Sequence, residues 1–164
     1  MSGPGTLHML CGKIASGKST LARRLADETG AMLLSQDHFL SRLYPQEIRD
    51  VADFARGSQR LGEAIGPHIV AMLRAGIGVV MDFEANTAAS RAWMRSLFEA
   101  AAAPHILHLL DVEDLVCLER LRLRNASGLH EYQVSEQDFA DFTRWFSPPS
   151  EAEGFVVRCY RGAS

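Results

Sequence analysis

The segment Gly12-Lys13-Ile14-Ala15-Ser16-Gly17-Lys18-Ser19, followed by Thr20, puts two glycines and two lysines into eight residues. Its spacing is G-x-x-x-x-G-K-[ST]. Glycines let a loop curl until successive backbone N–H groups converge on phosphate oxygens. A helix opening directly behind such a loop adds free N–H donors and the positive end of its dipole to the same anion. In that setting Lys18 reaches the β- and γ-phosphates of a nucleotide, and the Ser19 hydroxyl holds Mg²⁺. The chemistry expected here is ATP binding, with residues 12–20 as nucleotide contacts and Lys18 as a catalytic cation.

Other side chains could complete a transfer reaction. Asp37 lies just past "AMLLS" (31–35), at the end of a strand-like run, where ligands gather in open α/β sheets. Its carboxylate could orient an acceptor hydroxyl, or take its proton as that oxygen attacks the γ-phosphate. It equally suits the cap of a helix starting at His38. His38 and Arg42 are candidate acceptor contacts beside it. "GVVMD" ends in Asp82, an acid suited to hold Mg²⁺ directly or through its water shell. Glu84, Asn86 and Thr87 follow as candidate acceptor contacts, although Asn86 and Thr87 suit a helix start near Ala88 at least as well. Arg120 and Arg124 are four apart, so on a helix they share a face and can clamp phosphoryl oxygens in flight. His105 and His108 are three apart on a strand, hence on opposite faces, and cannot chelate one ion together. "HEYQV" (130–134) lacks the second ligand of a zinc-protease helix because Val134 stands there.

These residues need elements to hold them. "TLHMLC" (6–11) reads as a strand and "GKSTLARRLADETG" as a helix stopped by Gly30. Residues 38–57 read as a short helix and a loop. A helix begins at Ser58, and Gly66-Pro67 either kinks it or divides it in two. "GIGVVMDF" (76–83) is a strand, "NTAASRAWMRSLFEAAAAP" a helix closed by Pro104, and "HILHLLD" (105–111) a strand. "VEDLVCLERLRLRN" (112–125) is helical. "SEQD" (135–138) fits a capping box. Phe139, Phe142, Trp145 and Phe146 behind it read as core. "FVVRCY" (155–160) is the last strand. Five strands alternating with helices predict an α/β fold: a five-stranded parallel sheet with helices on both faces. All five strands are apolar throughout, as a doubly covered sheet requires.

On the phosphate loop, "LSQDHFLSRLYP" and "DFEANT", the chain resembles the small P-loop kinases: shikimate and gluconate kinases, chloramphenicol phosphotransferase and zeta toxins. It looks closest to a bacterial group of P-loop ATP-binding proteins. The resemblance implies a P-loop NTPase three-layer sandwich with a small helical lid over about residues 120–133, in which "ASGLHE" (126–131) would be the tip or hinge, with Gly128 permitting movement. It implies ATP and Mg²⁺ as cofactors. An acid after the second strand, here Asp37, would bind the acceptor or act as base. The lid would carry a paired-arginine motif, here Arg120 and Arg124. The sequence departs from relatives that place a glycine-rich turn after the third strand, since "FEANT" stands there. The expected activity is ATP-dependent phosphoryl transfer to a hydroxyl of a small molecule, whether metabolite, sugar or antibiotic. The alternatives are a polynucleotide 5′-hydroxyl kinase and a slowly hydrolysing or non-catalytic nucleotide switch.

The bulk composition agrees. The 164 residues fit one domain, 47% hydrophobic and 23% charged. A net charge of -3 disfavours nucleic acid as partner. No apolar run is long enough for a membrane span and the start lacks a signal-peptide pattern, so a cytoplasmic location is expected. Cys11, Cys117 and Cys159 read as buried free thiols.

Overall fold

The computed structural model describes residues 2–130 and 132–162. The first strand, β1 (Leu7–Cys11), is buried at every position and lies at the centre of the sheet. Through the phosphate loop it leads into α1 (Lys18–Thr29), which Gly30 ends in the left-handed region at φ 69°. Next come β2 (Met32–Ser35), α2 (Gln36–Leu43) and the long α3 (Val51–Arg74). They are followed by β3 (Val79–Asp82), α4 (Ala88–Ala101), β4 (His105–Asp111), α5 (Asp114–Ser127), α6 (Glu136–Trp145) and β5 (Val157–Arg161). The strands pair in parallel in the order β2-β3-β1-β4-β5. This is the three-layer α/β sandwich of a P-loop NTPase.

Strand alternation divides the interior into two cores. Leu7, Met9 and Cys11 face Leu61, Ile69 and Leu73 of α3 and Met94, Leu97 and Phe98 of α4. Leu10 faces Leu21, Ala22 and Leu25 of α1, Cys117 and Leu121 of α5, and Phe139 of α6. Burying each of the large side chains contributes roughly 1.5–3 kcal/mol.

Several expectations from sequence need correction. α3 starts seven residues before Ser58, because Asp50 caps it by accepting the Asp53 N–H at 2.8 Å. It runs through Pro67 as a single helix. The proline costs about 3 kcal/mol, which the burial of Leu61, Ile69 and Leu73 outweighs. Gly62 lets α3 approach α4 closely: a Cβ there would sit 3.1 Å from the Trp93 ring. β5 is the exposed edge of the sheet, with Val157, Arg158 and Cys159 open to solvent, so Cys159 is not a buried thiol. Trp145 is also exposed, whereas Phe139 is core. Among the described residues no helix is long and apolar enough to cross a membrane.

Candidate active site

Six residues separate the end of β1 from α1, and they curl tightly. Ala15 and Gly17 take positive φ, 61° and 102°. A Cβ on Gly12 would lie 2.5 Å from Ser16 Oγ and 3.3 Å from the Leu110 carbonyl oxygen, so a side chain there would force Ser16 to move. Gly17 caps α1 without a side-chain acceptor, and no acid occupies the first turn. The amides there keep their donors for an anion. Lys18 Nζ donates to the carbonyls of Gly12 (2.6 Å) and Lys13 (2.8 Å), folded back over its own loop. Ile14 to Thr20 line a cavity of about 810 Å³. Gly12 and Lys13 sit behind that wall. Lys13 pairs instead with Asp114 at the start of α5, at 2.5 Å.

Ser19 Oγ donates to Asp82 Oδ2 at 2.7 Å, which joins α1 to the end of β3. A hydroxyl and a carboxylate side by side form a hard oxygen pair that fits Mg²⁺. Asp37 reaches the same cavity from the first turn of α2. The cap of α2 is Ser35, whose Oγ accepts the His38 N–H, so Asp37 is not the capping residue. Glu84 also lines the cavity. Burial raises its pKa, the charges of Asp37 and Asp82 add to this, and Lys18 opposes it.

The two arginines of α5 diverge in their contacts. Arg120 Nη1 donates to the Ser16 carbonyl at 3.2 Å, which places it over the phosphate loop. Arg124 lies on the Asp37 side. Its pKa is lowered by burial and supported by the Asp37 charge, and its buried Nε has no hydrogen-bond partner among the described residues. Beyond α5, Gly128 turns the chain at φ 64°. His130 Nε2 then comes within 4.0 Å of Asp37 Oδ2.

His38 and Arg42 are exposed and do not line the cavity, contrary to expectation. Their side of α2 faces away from it. Asn86 and Thr87 have other work. Thr87 forms a capping box with Ser90, and Asn86 bonds the Gly12 peptide. From sequence, residues 38–75 and the lid are expected to form the acceptor cleft, and Ile48, Phe54, Leu129 and Tyr132 of those regions, none singled out individually, line the far wall together with Phe142. Phe54 and Phe142 meet edge to face at 5.6 Å. Phe142, expected in the core, is thus a wall residue. Its spacing on α6 carried no sign of this, because the partner ring comes from α3. His130, discarded as part of a broken zinc motif, belongs to this wall too.

A sequence profile described as AAA domain matches residues 7–149. No curated protein matches the chain. Among solved structures, a protein described as a candidate kinase from Chloroflexus aurantiacus j-10-fl is similar over 98% of this chain and 86% of its own, at 22% identity and TM-score 0.77. The Mycobacterium tuberculosis APS kinase CysC, solved with AMPPNP and APS, is similar over 96% and 89%, at 20% identity and TM-score 0.63. Kti12 of Chaetomium thermophilum, solved with ADP-AlF3, is similar over 96% and 88%, at 15% identity and TM-score 0.69.

Proposed function

The chain belongs to the AAA domain family, and from that premise we propose that it is an ATP-dependent phosphotransferase acting on a hydroxyl of a small molecule. One observation carries this reading. A single cavity collects the phosphate loop, the Ser19–Asp82 pair, Asp37, Glu84 and both arginines. Its volume of about 810 Å³ suits a nucleotide and a small acceptor together. A nucleotide-binding switch would need no acid opposite the triphosphate.

In this reading the loop amides and Lys18 grip the β- and γ-phosphates of ATP. Ser19 and Asp82 would hold Mg²⁺, which supplies charge neutralisation at the phosphate oxygens. Asp37 orients the acceptor hydroxyl and takes its proton as the new P–O bond forms and the bond to the ADP oxygen breaks. Arg120 steadies the phosphates from the loop side, and Arg124 faces the acceptor side. The wall of Phe54, Phe142, Tyr132 and Leu129 supports an acceptor with an apolar or ring-bearing body next to its hydroxyl. A polyol would leave that wall poorly covered.

The test is incubation with γ-labelled ATP, Mg²⁺ and a library of ring-bearing alcohols, sugars, antibiotics and 5′-hydroxyl oligonucleotides. Label on one small alcohol is the expected result. Label released only as inorganic phosphate would replace the proposal with a slow ATPase switch. Label on an oligonucleotide end would replace it with a polynucleotide kinase.

A further inference from the structure

Asn86 sits 74 residues from Gly12, yet its side chain meets both polar atoms that Gly12 carries. The Gly12 N–H donates to Asn86 Oδ1 at 2.9 Å, and Asn86 Nδ2 donates to the Gly12 carbonyl at 2.9 Å. The opposite amide orientation would set donor against donor and acceptor against acceptor, so only this one satisfies the pair. The carbonyl is shared, because Lys18 Nζ also donates to it at 2.6 Å. Gly12 is buried, and a buried carbonyl left without a donor is costly.

The amide is itself held firmly. The Ala85 N–H donates to the Leu10 carbonyl at 3.0 Å, and the Ala85 carbonyl accepts Arg91 Nη1 at 3.0 Å. The Asn86 carbonyl accepts the Ser147 N–H at 2.8 Å. Arg91 is fully buried and paired with Glu153 at 2.7 Å. The side chain that grips the loop therefore stands on a fixed stretch of backbone.

We propose that Asn86 is a positioning residue for the phosphate loop. Its carboxamide holds the Gly12 peptide in the curvature that accepts a triphosphate, and keeps the Gly12 carbonyl bonded when Lys18 leaves it for a phosphate. This rests on the nucleotide-binding reading above. Lys18 can swing to an anion without stranding the carbonyl, because the amide stays behind.

Calorimetry with a non-hydrolysable ATP analogue and Mg²⁺ tests it, on wild type, Asn86→Ala and Asn86→Asp, between pH 8 and pH 5. Asn86→Ala should lose roughly tenfold or more in affinity at every pH. Asn86→Asp should be as weak at pH 8, where a carboxylate offers no donor. It should recover toward wild type as pH falls, because a protonated acid again presents O–H beside C=O. Lys13 and Lys18 favour the carboxylate and Glu84 the acid, so the ratio to wild type is the quantity read. Thermal melts establish that all three proteins are folded. Variants within twofold of wild type, or a loss equal in both variants and flat with pH, would overturn the proposal while leaving nucleotide binding intact. A wild type that binds no nucleotide would overturn the proposed function as well.

Discussion

At the scale of single residues, the cavity separates two tasks that share one chemistry. Asp37 enters the cavity from the first turn of α2, a different element from the loop and helix that would hold the triphosphate. Asp37→Asn should therefore lower phosphoryl transfer by roughly 100-fold or more and leave nucleotide affinity close to wild type. Single-turnover transfer and calorimetry read the two effects apart. The arginines should divide in the same way. Arg120 already bonds the Ser16 carbonyl, so Arg120→Ala should weaken nucleotide binding by roughly tenfold or more. Arg124 neighbours Asp37, so Arg124→Ala should spare nucleotide affinity and depress transfer. The same two measurements check this pair. Equal effects from both substitutions would mean that the clamp acts as one unit.

At the scale of elements, α3 shows how far local signals reach. Pro67 is exposed inside a 24-residue helix, where it withholds one backbone donor. Pro67→Ala should raise stability in urea unfolding by about 1–3 kcal/mol, since nothing on the buried face changes. From sequence Gly66-Pro67 leaves open a kinked helix or two helices because the signal is local, whereas the side chains that decide for one helix face β1 and α4. The phosphate loop was legible for the opposite reason. Its chemistry is compressed into nine adjacent residues, and the strand before it and helix behind it are marked by ordinary periodicity. The capping box of α6 was legible in the same way. Asn86 was only half legible: as a loop residue ahead of a helix it resembles a cap, and its partner lies far away in the chain. The exposure of β5 was misread, because Val157, Cys159 and Tyr160 look like a covered strand, although Arg158 among them signals an open edge. The aromatic wall was hidden likewise, as Phe54 and Phe142 meet only after α3 and α6 pack.

At the scale of the whole molecule, a polar chain crosses the sheet. His8 Nδ1 lies 3.0 Å from His108 Nε2, and His108 Nδ1 lies 2.9 Å from the Tyr160 hydroxyl. Burial first, then the His8 and Arg158 charges, hold the His108 pKa down to about 4; His8 is lowered too, by burial and Arg158. An unfolded histidine titrates near 6.5. Between about pH 6.5 and 4 the unfolded chain thus binds more protons than the folded one, and stability falls as pH drops through that window. His108→Gln should flatten this part of the profile in urea unfolding at stepped pH. An unchanged slope would mean that the histidines protonate within the folded state. The strand order carries one more consequence. β1 sits between β3 and β4, so the strand that launches the phosphate loop must wait for neighbours at residues 79–82 and 105–111. Such distant pairings make for slow folding. The bend between β1 and α1 therefore acquires its shape only once the strand at residues 105–111 has joined the sheet.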